Sequence, residues 1–265
     1  MLKLLATLAL FCAVSAWGQV DPPAVTAAEV TAAVDQVSSS LPADDPERET
    51  LLKLYGEVSS TLASFEQYRQ SISSFAEARS RSPQETVAVS AALEKLQADP
   101  AAAEVDPDMS LDELEQRIQL DSAERDAKKA RLADLGSTID GMSARTAEIR
   151  SRLTELAGER AELESRLKLM DSAVEPGGEA QARLWLVQAQ VAAAAAEKAA
   201  LDEELLSQPM RLDLRRAQRA QITYLVGTLE KQLQVMEQRA GELRLQDADR
   251  MQSEAQITAE DSLGK

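Results

Sequence analysis

The hydrophobic pattern is strongest between Leu111 and Met170. Stepping by seven from Leu111 gives Leu111, Ile118, Arg125, Leu132, Ile139, Thr146, Leu153, Arg160 and Leu167. A second set, three residues later in each heptad, reads Leu114, Asp121, Lys128, Leu135, Met142, Ile149, Leu156, Leu163 and Met170. Thirteen of these eighteen positions are apolar, six in the first set and seven in the second. An apolar seam recurring every 3.5 residues predicts a long coiled-coil helix. Ser110 and Glu113, in "SLDE", form a capping box at its start. At roughly 1.5 Å per residue this helix would be about 90 Å long.

Weaker patterns flank it. "QVDPPAV" (19–25) reads as a flexible lead-in, and Thr26 with Glu29 caps a short helix to about Ser40. "PADDP" interrupts the chain, Asp45 caps and Pro46 opens the next helix, which is expected to end near Arg81. Its apolar stripe includes Leu51, Leu54, Val58, Leu62, Phe65, Ile72 and Phe75. Ser82-Pro83 reads as the restart of a short helix to about Ala98, followed by a linker, "ADPAAAEVDPD". Beyond the heptads, Gly177 and Gly178 in "EPGGE" permit a reversal. A helix from Glu179 to about Leu206 follows, Ala-rich and suited to close helix packing. At "SQP" (207–209) a turn is expected rather than a kink, with Ser207 capping a last helix to about Ala255. No period of 20–50 residues recurs. The expected fold is all-α, an elongated antiparallel helical bundle or coiled-coil hairpin with very long helices. Its expected parts are a leader at 1–18, a shorter-helix region at 26–98 and a long hairpin at 110–257.

Composition narrows the chemistry. Of 265 residues 44% are hydrophobic but only 3% aromatic, enough to fill a seam and short of what a globular core uses. The chain has no His, and its one Cys is Cys12. Histidine acid/base chemistry, a thiol nucleophile, a His/Cys zinc site and a structural disulfide all lack their residues. No enzyme activity, cofactor or metal is therefore expected. The carboxylate pairs Glu203-Glu204 and Asp44-Asp45 read as solvated faces or caps, and Trp185 as a packing residue. A net charge of −16 and a pI near 4.6 argue against nucleic-acid and anionic-membrane partners.

The first residues, "MLKLLATLALFCAVSAWGQV", have the form of an export leader: Lys3, then an apolar run from Leu4 to Val14, then small residues. Cleavage after Ala16 or after Gly18 fits the small-x-small pattern, and the run is short for a membrane span. Export to a periplasm follows if the source is a double-membraned bacterium.

Two polar features stand out. Asp121, Arg125, Lys128, Thr146 and Arg160 interrupt the seam, either to fix register or because the helix packs asymmetrically and leaves them exposed. In "LLSQPMRLDLRRAQRAQ", Arg211, Arg215 and Arg219 fall at i, i+4 and i+8, one stripe of a helix, with Arg216 beside it. If the chain turns at 207–209, "DEE" (202–204) would face these arginines. The stripe is a candidate contact for an acidic protein partner.

The order of leader, shorter helices, "SLDELEQRIQLDSAERDAKKARLADLGSTI", a Gly-containing break and "LLSQPMRLDLRRAQRAQITYLVGTLEKQLQVMEQ" resembles one family. It is similar to the N-terminal periplasmic "porin" domain of the large mechanosensitive channels of the small-conductance (MscS) type, the potassium-dependent channel and its relatives. The resemblance covers roughly residues 30–255, and its most specific pieces are 110–120 and 205–238. It implies an extramembrane module that anchors or tunes a tension-gated channel through protein contacts, and it brings no catalytic residues. The sequence departs from the family at "SLGK", where no membrane helix follows. The expectation is a chain without a pore, a truncated or split channel product or a stand-alone relative. Expected partners are channel membrane subunits or cell-envelope components, without nucleic acid or a small-molecule substrate; homo-oligomerisation stays open. The alternative reading is a free periplasmic coiled-coil adaptor, bridging envelope components or activating a cell-wall hydrolase.

Overall fold

The computed structural model describes residues 20–99, 105–170 and 178–263, with side chains through 258. The leader, residues 100–104 of the expected linker and residues 175–177 of the expected reversal lie outside the described residues. The described residues form four helices: α1 (Ala27–Ser40), α2 (Pro46–Ala98), α3 (Leu111–Met170) and α4 (Gly178–Leu263). The fold is all-α, a packed bundle of helical hairpins.

Local chemistry sets the helix starts. At α1 the Thr26 hydroxyl accepts from the Glu29 amide at 3.3 Å, and the Glu29 carboxylate accepts from the Thr26 amide at 2.7 Å. Ser110 and Glu113 repeat this exchange at α3, at 3.4 and 3.0 Å. At α2 the Asp45 carboxylate accepts from the Glu47 amide at 2.8 Å, behind Pro46. Each contact satisfies amides that the first turn leaves without helical partners. α4 opens at Gly178, whose φ of +69° is accessible to glycine at little cost.

Two expected breaks are absent. α2 runs through Ser82-Pro83, and α4 runs through Ser207–Pro209, so residues 178–263 are one helix. A proline inside a helix removes one hydrogen bond and crowds the carbonyl four residues back. Pro83 and Pro209 are both exposed, so each disturbance falls on the solvent side of its helix. The residues just before them are buried: Ser82, Ser207 and Gln208. Packing on that side outweighs the local signal to stop. The acidic run at 202–204 therefore precedes the arginines along one helix instead of facing them across a turn.

The chain divides into two compact units, one of residues 1–74 and 150–204, the other of 75–149 and 205–265. In the first, α1 lays Val30 and Val37 against Leu51, Tyr55, Val58 and Leu62 of α2 and Ala182 and Ala189 of α4. Phe65 packs nearby on Ala192, Ala193 and Ala196. The small side chains let the backbones approach, and full burial of a Val or Phe side chain contributes about 1.5–3 kcal/mol. The lead-in is tied down: Val25 is 1% exposed within this core, and Val20 packs against the Phe65 cluster. In place of the flexible segment the sequence suggested, 20–25 is a strap whose two valines reach apolar surface.

In the second unit, Leu114 meets Leu233, Met236 and Ala240, flanked by Val105, Met109 and Ile118. Here α3 and α4 are antiparallel, as the contacts Thr146–Gln208, Lys129–Glu230 and Glu115–Arg244 show by running in opposite senses along the two helices. All eighteen heptad positions of α3 are buried or half-buried, and Leu114, Asp121, Leu135, Ile149 and Leu156 of the second set are the deepest.

Candidate interaction site

Each polar residue that interrupts the α3 seam has a partner. Asp121, 5% exposed, accepts from Arg117 at 3.0 Å. Arg125 reaches Asp126 at 2.9 Å, Lys128 reaches Glu124 at 3.1 Å and Arg160 reaches Glu164 at 2.7 Å. Their half-burial with long stems along the helix lets apolar methylenes cover the seam while the charged ends reach outward. Thr146 is different, because its partner lies on another helix. Its hydroxyl donates to the Gln208 Oε1 at 2.8 Å, and the Gln208 amide nitrogen donates to the Met142 carbonyl. Gln208 thus joins two turns of α3 to α4 and satisfies both ends of its own buried amide.

The arginine stripe lies on α4 in the same unit, but its members do not share one environment. The Arg211 guanidinium sits over the Phe75 ring of α2, 4.9 Å from its centroid, a cation–π contact. Arg215 is half-buried and donates to the Gln218 side chain at 3.0 Å. Arg219 is exposed, and so is Arg216, which lies 3.5 Å from Asp213 of its own helix. The outward basic surface is therefore built by Arg215, Arg216 and Arg219, while Arg211 serves packing between α2 and α4.

In the first unit the structure assembles a polar group that spacing did not reveal. Arg152 of α3 grips Glu197 of α4 with two nitrogens, at 2.7 and 3.0 Å. The same guanidinium holds Glu159 at 2.7 and 3.1 Å. The fork keeps the Glu159 carboxyl below the usual carboxylate range, chiefly through these hydrogen bonds. It also raises the already high pKa of Arg152 itself. Tyr68 of α2 hydrogen-bonds Glu197, and its phenol is pushed up first by burial and then by the Glu197 charge. Glu159 stands one heptad after Arg152 and could have been paired by spacing; Glu197 is too distant along the chain. Trp185 packs its ring on Tyr55 with centroids 5.8 Å apart, the packing role its sequence position suggested.

Among the described residues no group of three or more His, Cys, Asp or Glu side chains could hold a metal ion. No described helix is long and apolar enough to cross a membrane. No curated protein and no solved structure matches the chain. A family model described as the mechanosensitive ion channel porin domain matches residues 34–265, which includes the second half of α1 and all of α2, α3 and α4. The chain belongs to the mechanosensitive ion channel porin domain family.

Proposed function

We infer that the protein is a non-enzymatic, exported module that works in the periplasm beside a mechanosensitive channel, anchoring it or tuning its response through protein contacts. Family membership over 34–265 is the observation that carries this reading. Export rests on the basic, apolar and small-residue order of residues 1–18, with that leader removed after Ala16 or Gly18. The 110–257 stretch is the scaffold, and its basic stripe is the contact for an acidic protein surface. Arg215 and Arg219 supply the charge, and Arg211 fixes the stripe against α2. In a chain of net charge −16, a local cluster of arginines attracts what the rest of the surface repels.

Two measurements test this. Channel subunits reconstituted with the purified protein should co-sediment with it and show a shifted tension threshold in patch recordings. The double substitution Arg215→Glu and Arg219→Glu should weaken the association about tenfold or more, as expected when two favourable charges become unfavourable. No association and an unmoved threshold with the unaltered protein would sink the channel reading.

A further inference from the structure

A groove of about 430 Å³ opens between α2, α3 and α4 in the first unit. Its walls carry Tyr68, Glu159, Glu162, Arg166, Gln190 and Glu197. The floor includes Ala193 and Ala194, 8% and 7% exposed, where α4 presents methyl groups in place of the larger side chains that would fill the space. We propose that this groove is a binding site for a neutral saccharide of one or two rings.

The ligand class follows from charge and geometry. Three carboxylates on the walls disfavour an anion. Arg166 on the wall and Arg152 behind it offset most of that negative charge, so a cation gains little. What remains is a set of fixed acceptors and donors. Arg152 holds the Glu159 and Glu197 carboxylates in place with four contacts of 2.7–3.1 Å, so they need no reordering when a ligand arrives. Each carboxylate has acceptor capacity beyond what the guanidinium uses. A vicinal pair of hydroxyls can donate into such a carboxylate, and the Gln190 amide and Arg166 guanidinium can donate to hydroxyl or ring oxygens. The Tyr68 ring offers apolar surface to the C–H face of a sugar. The site belongs to the first unit and uses none of the stripe arginines, and it does not depend on the channel reading.

The probe is the disaccharide of N-acetylglucosamine, titrated into the full chain by saturation-transfer NMR and calorimetry, with spermidine and citrate as charged controls. Saturable binding of the disaccharide, absent for both charged molecules, is expected. Ala194→Leu fills the floor and should weaken binding at least about tenfold while circular dichroism shows the same helix content. Gln190→Ala removes a donor without adding volume, and should weaken binding several-fold even if the leucine variant fails to fold. Spermidine binding in place of the disaccharide would overturn the proposal, as would an unaltered affinity in Gln190→Ala or no binding of disaccharide at all.

Discussion

Gln208 ties α4 to one register on α3, because a side-chain amide has directional needs that a leucine lacks. It is 8% exposed, and both halves of its amide are engaged, by the Thr146 hydroxyl and the Met142 carbonyl. A buried polar group that loses its partner costs about 1–3 kcal/mol. Thr146→Val should therefore destabilise the protein by about 1–2 kcal/mol, since it leaves the Gln208 oxygen unpaired while hardly changing volume. Gln208→Leu should cost a similar amount by leaving the Thr146 hydroxyl unpaired. The double variant removes both polar groups and should cost no more than either single change, a coupling of about 1 kcal/mol or more. Urea titrations of the four proteins measure this directly; additive losses would mean that the two side chains do not depend on each other. Thr146 could be flagged from sequence as a polar seam position. Gln208 could not, because its register on α3 is a property of two helices.

At the scale of the element, caps and heptads were legible, and prolines were misleading. Thr26 with Glu29 and Ser110 with Glu113 placed the starts of α1 and α3, because a capping box depends on four consecutive residues and nothing else. Leu111 to Met170 was legible as one helix for the same kind of reason: its periodic signal is internal. Pro83 and Pro209 signal a break with equal local force, yet α2 and α4 continue through them. The deciding facts, an exposed ring on one side and buried Ser82 or Gln208 on the other, belong to the packed structure. The same holds for the strap, whose Pro-Pro composition suggested freedom while Val20 and Val25 find apolar surface. If Pro209 is tolerated by packing and not needed for a turn, replacing it should help. Pro209→Ala restores an amide donor at an exposed helical position and should raise stability by about 1–3 kcal/mol. Thermal melts followed by circular dichroism provide the check. A fall in melting temperature would show that the helix needs the distortion the proline introduces. Ser110→Ala works in the opposite direction and should cost about 1 kcal/mol by removing the α3 cap.

For the whole molecule, the division into two units was beyond the sequence, because each unit combines stretches far apart in the chain and α2, α3 and α4 each contribute to both. The candidate sites divide in the same way: the spacing of Arg211, Arg215 and Arg219 was plain, while the Arg152–Glu197 grip joins residues that only the fold brings together. Composition, by contrast, does constrain the whole molecule, and it fixes the pH dependence of stability. Histidine is the side chain that ordinarily titrates between pH 5 and 8, and this chain has none; its one thiol is Cys12. Between about pH 5.5 and 8.5 the folded and unfolded chains should therefore bind nearly equal numbers of protons, and stability should be flat. The shifted groups set the edges. Glu29 and Glu113 titrate below the ordinary carboxylate value because their cap hydroxyls and amides favour the charged form, and Glu159 does so because of Arg152. A lowered carboxylate pKa stabilises the fold above the unfolded value, about 4.3, and that contribution is lost as pH falls through the folded one. Burial raises the Tyr55 and Tyr68 phenols, so their contribution is present below about pH 10 and lost as pH rises beyond it. Melting temperatures at constant ionic strength should hold level from about pH 5.5 to 8.5, decline below about 4.5 and decline again above about 10. Glu113→Gln should reduce the acid-side decline without moving the plateau's width. A step in melting temperature near pH 6.5 would require a titrating group that this composition does not contain.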